Sequence, residues 1–380
     1  MTAMEISPDH ARRFLVSHLG LGAYERARGA AGVRAVLGRL RAIQLDPLDP
    51  MGTNADLVAM ARVRGLRRAE VYRHLLPTHA FEHFFKERCL VHADAFPHYR
   101  DRMVETPWWR TAERQKRVDA ATLDAVLAEV RARGPIAASA LADRGQVEAL
   151  DWSGWRGTGK AAKMALEVLW TRCDVVVTER RGRDKIYDVP SRALRKQHRK
   201  KAKDEFARWA VLERVQAAGL LTTSATPEWS MLREVRGGPV PDQLVEEGLL
   251  ERVRVHGRPT VYLAPAGFMH RPRGRVDAAM RILGPLDQLL WNRVLVQQAF
   301  GFDYVWEVYK PAHQRRWGWY VCPLLHRGRL VGRLEARVEG QTLVVQRVWP
   351  EEGAPLDQDA LALCLERHAE ACGASAVKRL

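Results

Sequence analysis

The sequence contains no run of about 18 apolar residues, the length that a membrane-spanning helix requires. Its first residues also lack the apolar segment that follows the charges of a secretory signal. Cysteine is scarce, with 5 in 380 residues, and neither a Cys-x-x-Cys pair nor a zinc-finger spacing of Cys and His occurs. We therefore expect a cytoplasmic protein without a membrane partner, a metal ion or a cofactor, whose cysteines are small core residues.

Acidic residues are also fewer than basic residues. Lys and Arg total 61 against 45 Asp and Glu, which gives a net charge of +16 and a pI of about 10.0. This excess predicts a polyanionic partner, because neutralising phosphates releases condensed counterions. The alternative is a protein from a genome of high GC content, in which arginine is simply common.

The N-terminal region has signals of a helical unit. Ser7, Pro8 and Asp9 form a helix start with proline at the first helical position. Apolar residues then recur at helical spacing within 33–40 and 57–60. We expect residues 7–110 to be helical and to form a helix-turn-helix unit.

Two later regions share the order helix, helix, β-hairpin, which is typical of a winged helix. In the first the predicted elements are Thr122–Arg133, Thr158–Arg172, Val175–Glu179 and Lys185–Val189. In the second they are Glu205–Ala218, Asp242–Glu247, Leu249–Val255 and Pro259–Leu263. A repeated unit of this kind predicts a tandem array.

The C-terminal region changes to alternating strands. The predicted strands are Val305–Tyr309, Trp317–Pro323, Leu330–Arg337 and Leu343–Val348, before a closing helix over Pro355–Cys372. The predicted fold is therefore α+β, with tandem winged-helix units and a small C-terminal antiparallel β domain. We expect four domains, 1–118, 119–202, 203–270 and 271–380, in a monomer.

The most basic segment joins the second and third of these regions. Between Arg180 and Lys203, eleven basic residues stand against two acidic ones, a balance of +9. Such a run is commonly a solvated face, but here it continues from a predicted wing, which favours phosphate contacts.

The segment Gly154–Lys160 is similar to a phosphate loop, but Ala161 stands where the hydroxyl residue belongs, so we interpret it as the start of a recognition helix. The residues predicted to contact DNA are Thr158, Lys160, Lys163, Arg180, Arg181, Arg183, Lys196, Lys200, Lys201, Arg315 and Arg316.

Gln44 and Asp46 are the candidate catalytic pair. They stand two residues apart in an apolar stretch before Pro47, so in an extended chain both side chains face the same way. One carboxylate can activate a water and stabilise a cationic sugar, while a neighbouring amide holds the water. The alternative is that Asp46 only forms the turn before Pro47 and Gln44 faces solvent.

Five blocks together resemble, in order, the AlkZ/YcaQ family of winged-helix DNA glycosylases. They are Ala42–Leu48, Ala80–Glu87, Leu283–Arg293, Phe300–Tyr309 and Arg315–Gly328. The resemblance implies an enzyme that removes alkylated bases from DNA and acts on interstrand crosslinks. It also implies that Asp46 is the catalytic carboxylate and that Gln44 positions the water.

The chain departs from the family pattern at several positions. Where the family often has Arg and His after the catalytic turn, this chain has Met51–Asp56, and Gly284, Leu286 and Asn292 replace the usual Ser, Phe and Asp. These differences bear on substrate preference.

Four further residues in the family-like blocks have two interpretations. Asp287 and Asp303 could take part in catalysis, but we expect a structural role in which they cap turns or pair with Arg293. Trp317 and Trp319 either pack in a core, as we expect, or wedge into DNA.

The leading prediction is a monofunctional DNA glycosylase that binds double-stranded DNA and hydrolyses alkylated purines of the N7-alkylguanine type, with interstrand crosslinks as further substrates. No lysine stands out in an apolar pocket as the nucleophile of a lyase. The alternative is a non-enzymatic winged-helix regulator, in which a carboxylate facing phosphates would weaken binding.

Overall fold

The computed structural model describes residues 3–100, 110–150, 157–182, 184–271 and 274–380. The chain forms two compact units, one made of Met1–His74 with Ala207–Leu380 and the other of Leu75–Phe206. Helices and strands are mixed in both, as expected for an α+β protein. Within the described ranges no helix is long and apolar enough to span a membrane.

In the N-terminal part of the first unit, the candidate pair lies at the end of a short buried strand, and a short helix follows it. Its elements are β1 (Met4–Ile6), α1 (Pro8–His18), α2 (Gly29–Leu40), β2 (Ala42–Gln44), α3 (Asn54–Met60) and α4 (Glu70–Leu75). The predicted helix start is confirmed, because the Ser7 side chain accepts the His10 N–H at 3.1 Å. Thr53 and Asp56 form a capping box that begins α3.

The second unit begins with a β-hairpin and continues with helices and a small sheet. Its elements are β3 (Ala80–Phe84), β4 (Arg88–His92), α5 (Phe96–Tyr99), α6 (Thr111–Lys116), α7 (Ala120–Arg133), β5 (Ile136–Ala137), β6 (Gln146–Glu148), β7 (Thr158–Lys160), α8 (Ala161–Thr171), β8 (Val176–Arg181), β9 (Asp184–Asp188), α9 (Pro190–Ala193) and α10 (Arg195–His198). The strands β8 and β9 pair antiparallel, and β5 adds to β9.

Two expectations for this unit are corrected. Residues 7–110 are not all helical, because β3 and β4 pair antiparallel and every residue of β3 is buried, which suits a strand in a core rather than an amphipathic helix. The second predicted helix does not start at Thr158. Residues Thr158–Lys160 pair with Gln146–Glu148 instead, and the helix begins at Ala161.

The C-terminal part of the first unit contains two sheets. Its elements are α11 (Phe206–Ala218), β10 (Leu221–Thr222), α12 (Arg233–Gly237), α13 (Val240–Glu246), β11 (Leu250–Val255), β12 (Val261–Pro265), β13 (Arg281–Ile282), α14 (Arg293–Phe300), β14 (Val321–His326), β15 (Arg329–Glu339), β16 (Thr342–Pro350), α15 (Gln358–Ala371) and β17 (Ala376–Arg379). One sheet has the order β1-β11-β12-β10 and the other β13-β14-β15-β16-β17.

Three of the four predicted C-terminal strands occur, as β14, β15 and β16, and the prediction is wrong in two details. The sheet is not wholly antiparallel, because α15 carries the chain back so that β17 pairs parallel with β16. Residues Val305–Tyr309 form no strand, and the next strand begins at Val321. The intervening backbone N–H groups of Arg316 and Trp317 are satisfied by the Glu307 carboxylate instead of a sheet ladder.

Candidate active site

The candidate catalytic turn follows the buried strand β2. Gln44 is the last residue of that strand and is 5% exposed, and its carbonyl oxygen accepts a hydrogen bond from Asn54 Nδ2 at 2.8 Å. Asp46 is half-buried, and its Oδ1 accepts the Leu48 N–H at 2.9 Å. Asp46 therefore does form the local turn that the alternative interpretation predicted. Its Oδ2 has no hydrogen-bond donor among the described residues, which leaves that oxygen for a water or substrate.

Burial makes Asp46 a stronger base than an ordinary aspartate. Desolvation raises its pKa, and the Leu48 N–H opposes this in part. Within the described ranges, no Lys, Arg or His forms an ion pair with the carboxylate. A carboxylate without a cationic partner in a partly dry site suits both proton acceptance and stabilisation of a cation.

The raised pKa predicts a shifted pH dependence. If the ionised form of Asp46 is required, activity is full above its pKa and is lost as the pH falls through it. Because burial raises that pKa, the acid limb of the kcat/KM profile should lie above the range of an exposed aspartate. Single-turnover rates between about pH 4 and 8 test this. An acid limb at or below the range of an exposed aspartate would contradict the prediction.

Two of the departures from the family pattern contact each other. The Asn54 side chain is fully buried, and its Oδ1 accepts the Leu286 N–H at 3.0 Å while its Nδ2 binds the carbonyl of Gln44. A Cβ atom at Gly284 would lie 2.5 Å from Asn54 Oδ1, so only glycine fits beside this amide. The glycine thus lets Asn54 join strand β2 to the loop at Leu286.

A buried ion pair supports the same loop. Arg62 donates to both oxygens of Asp287 at 2.6 and 3.0 Å, and both side chains are fully buried. Asp287 also accepts the Leu289 N–H, so it caps a turn as expected, but its partner is Arg62 and not Arg293. Gln288 Nε2 donates to the carbonyl of Ala42, which fixes the other end of β2.

The replacement of the family's aspartate by Asn292 also has a structural reason. Asn292 Nδ2 donates to the buried Glu228 carboxylate at 2.8 Å, while its Oδ1 caps α14 by accepting the Leu295 N–H. An aspartate at this position would place two carboxylates together in the core.

Comparison with known proteins identifies the family. The family model of the AlkZ-like DNA glycosylases matches residues 37–371. The chain belongs to the AlkZ-like DNA glycosylase family. The Streptomyces sahachiroi DNA glycosylase AlkZ has a similar fold, with a TM-score of 0.61, 20% identity, and coverage of 99% of this chain and 100% of that one. The protein is therefore an enzyme, a hydrolase of N-glycosyl bonds in DNA, and not a regulator without activity.

The predicted DNA contacts in the second unit of this AlkZ-like protein fall into two groups. Thr158, Lys160, Lys163, Lys196 and Lys201 are exposed. The others have acidic partners in the unit. These are Arg180 with Glu82 at 2.5 Å, Arg181 with Glu179 at 2.9 Å and Lys200 with Asp94 at 3.6 Å. Arg183 lies outside the described residues.

Arg180 has a structural role that the sequence did not indicate. It binds both oxygens of Glu82, which is fully buried. Burial by itself would raise the pKa of Glu82, but the hydrogen bond and charge of Arg180 outweigh it, so the pKa is lowered. The guanidinium therefore neutralises a core carboxylate.

The first unit places the remaining two predicted contacts on an irregular segment. Arg316 forms an exposed ion pair with Asp303 at 3.1 Å, so Asp303 also pairs with an arginine other than Arg293. Arg315 donates its Nε–H to the carbonyl of Lys310 at 2.8 Å. Trp317 is half-buried beneath the Arg333 guanidinium, and Trp319 is 38% exposed, so of the two only Trp319 has a large exposed surface.

Sequence reasoning missed two tyrosines near Asp46. Burial raises the pKa of Tyr309 and of Tyr320, and the negative charge of Asp46 adds to both shifts. Tyr309 is 71% exposed, whereas Tyr320 is buried and its hydroxyl has no hydrogen-bond partner in the described part of the chain. Both stand in family-like blocks, which was the available signal.

A lysine of low pKa lies in the second unit, contrary to expectation. Burial lowers the pKa of Lys185 to about 7, and the charge of Arg88 lowers it further. Its ammonium group lies 5.7 Å from the ring centroid of Trp170. Across the described ranges, no group of three or more His, Cys, Asp or Glu is arranged to hold a metal ion.

Proposed function

We propose that this AlkZ-like protein is a monofunctional DNA glycosylase that hydrolyses N7-alkylguanine nucleotides, and that interstrand crosslinks joined through N7 are further substrates. The observation that carries the proposal is Asp46, a half-buried carboxylate with a raised pKa and one free oxygen, beside Gln44 in a member of a DNA glycosylase family. The two fully buried carboxylates of the family-like blocks in the same unit, Asp287 and Glu307, pair instead with Arg62 and Lys310.

The proposed reaction needs few groups. Alkylation at N7 leaves the guanine positively charged, so the C1′–N9 bond breaks with its electron pair moving to the base and neutralising it. Asp46 stabilises the cationic sugar and accepts a proton from the water that adds to C1′. Gln44 positions this water. The products are a free neutral base and an abasic sugar.

DNA binding is proposed to follow the winged-helix pattern. In the second unit α7, α8 and the β8–β9 hairpin occur in that order, with Lys160 and Lys163 exposed at the start of α8. In the first unit α11, α13 and the β11–β12 hairpin repeat the order. We propose these as winged-helix units within the four domains 1–118, 119–202, 203–270 and 271–380.

This arrangement predicts strong electrostatic binding. Log affinity for a duplex should fall linearly with log salt, by roughly 0.9 per phosphate neutralised. Reversing Lys196, Lys200 and Lys201 to Glu should weaken binding to all sequences and reduce the slope by about 2 to 3. Fluorescence anisotropy at several salt concentrations measures both. Reversing Lys378 and Arg379 in β17 is the control, and an unchanged slope in the triple variant would contradict the assignment.

The proposed function is tested on duplexes that carry one N7-methylguanine or one N7-linked crosslink. Base release should create a site that breaks only after heating with alkali. Release of unmodified guanine at the same rate, or no release at all, would remove the proposed substrate class. Strand breakage without alkali, together with borohydride trapping lost in Lys185→Ala, would show a lyase.

A further inference from the structure

The segment before β14 exposes an aromatic ring on a surface that also carries basic residues. Tyr309 is 71% exposed and Trp319 is 38% exposed, and in the described part of the chain these are the aromatic members of the exposed large hydrophobic residues. Single exposed apolar residues are common on protein surfaces, so the function of this ring follows from how the fold holds it and from the charges around it.

A buried carboxylate holds this segment in place. Glu307 is 2% exposed and accepts hydrogen bonds from the Arg316 N–H at 3.1 Å, the Trp317 N–H at 2.8 Å and Lys310 Nζ at 2.8 Å. The Lys310 N–H also donates to the carbonyl of Glu307 at 2.9 Å, closing a turn around Tyr309. The ring is thus presented by a preorganised turn.

A second carboxylate holds the end of the segment. Glu335 on β15 accepts the N–H groups of Trp319 at 2.6 Å and Tyr320 at 3.2 Å. Any side chain at Gly318 would collide with this carboxylate. The irregular path of the chain is therefore specified by two glutamates and one glycine.

The segment and the catalytic turn rest on the same core. Leu48, two residues after Asp46, and Trp306 both pack against the cluster that contains Met51 and Tyr320. The Trp306 ring meets the Tyr309 ring edge to face, with centroids 5.5 Å apart. The charge of Asp46 also reaches Tyr309, where it adds to the effect of burial on the pKa.

The charges around the ring favour a nucleic acid. Arg315 has no carboxylate partner among the described residues, and Arg316 is paired only at the surface, where solvent weakens the ion pair. An exposed ring beside cations is the arrangement that single nucleotides use for stacking and phosphate contact.

We propose that Tyr309 stacks on a base of the duplex next to the alkylated nucleotide, that Arg315 binds the flanking phosphate, and that together they hold the sugar against Asp46. This inference rests on the proposed function. Tyr309 is then a positioning residue, because it acts through the base it contacts. Replacing the ring should remove the stacking energy of one base, which corresponds to a loss of roughly 5- to 100-fold in affinity for DNA.

The test compares Tyr309→Ala with Tyr309→Phe on a duplex that has 2-aminopurine beside N7-methylguanine. The alanine variant should lose roughly 5- to 100-fold in kcat/KM and the fluorescence change that stacking causes. The phenylalanine variant keeps the ring and should retain most of both. Leu363→Ala, which truncates another exposed large side chain, 46% exposed on α15, should leave both unchanged.

The stacking role of Tyr309 and the proposed glycosylase function fail in different ways. A Tyr309→Ala protein with normal kcat/KM and fluorescence overturns the inference, while inactivity of Asp46→Asn in the same assay would leave the proposed function standing. If Tyr309→Phe is as impaired as the alanine variant, the hydroxyl acts and stacking is wrong. If wild-type protein releases no base, the proposed function fails instead. Because the side chain is exposed, an unchanged melting temperature will show that the variants fold.

Discussion

Asp46→Asn should reduce base release by about 10²- to 10⁴-fold, the range expected on loss of a positioned general base. The amide can neither accept the proton of water nor stabilise a cationic sugar by its charge. DNA affinity should be equal or higher, because a negative charge is removed from a surface that faces phosphates. Single-turnover release of N7-methylguanine and duplex anisotropy measure the two effects.

The same substitution should not unfold the protein. An asparagine Oδ1 can still accept the Leu48 N–H, which keeps the turn. The raised pKa of Asp46 leads to the same expectation for stability. Burial raises the pKa of Asp46 in the folded state, so its ionised form destabilises the fold at neutral pH and the cost disappears as pH falls through that pKa. The melting temperature of Asp46→Asn at pH 7 should therefore be equal or higher.

Gln44→Ala provides the matched comparison. It should lower the rate of base release less than Asp46→Asn does, because water can still bind the free oxygen of the carboxylate. A folded Asp46→Asn protein with wild-type activity would show that Asp46 serves only the turn, and the catalytic assignment would then be wrong.

Asp287→Ala should destabilise the protein by about 3–5 kcal/mol. Arg62 and Asp287 are both fully buried, so removing the carboxylate leaves a guanidinium without its counter-charge in a dry environment. The cap on the Leu289 N–H is lost at the same time. Chemical denaturation followed by tryptophan fluorescence measures the change.

Asp303→Ala is the matched control for this prediction. It removes a carboxylate from an aspartate–arginine pair of the same unit, but both side chains are more than 60% exposed. It should lower the free energy of unfolding by only about 0–1 kcal/mol. Equal effects of the two substitutions would mean that burial does not govern the strength of the Arg62–Asp287 pair.

Local patterns predicted the elements well wherever the backbone hydrogen bonds of a segment are made within that segment. The helix at Pro8 follows from Ser7, and the helix of α7 was placed within two residues of its start. The prediction failed for the first residues of the strand Trp317–Pro323, because the backbone N–H groups there are satisfied by the Glu307 and Glu335 carboxylates and not by a neighbouring strand. Periodicity does not reveal a side chain that replaces a sheet ladder.

The candidate site divides in the same way. The Gln44 and Asp46 pair was visible as a short pattern, and the resemblance to known glycosylases distinguished it from an ordinary turn. The contacts that support this turn and the neighbouring loop were not visible in the sequence. Arg62 and Asp287 are 225 residues apart in the chain, and Asn54 and Leu286 are 232 residues apart. No local signal links residues at such separations.

The amino-acid sequence by itself determined the excess of positive charge, the starts of α1 and α7, the β8–β9 and β11–β12 hairpins and the residues of the candidate catalytic turn, since each depends on composition or on neighbours within a few residues. Only the tertiary structure decided that Asp46 is half-buried with a raised pKa, that Arg180 neutralises Glu82, and that Tyr309 is exposed near the turn. The physical reason is that desolvation and ion pairing depend on which distant segments exclude water from a side chain.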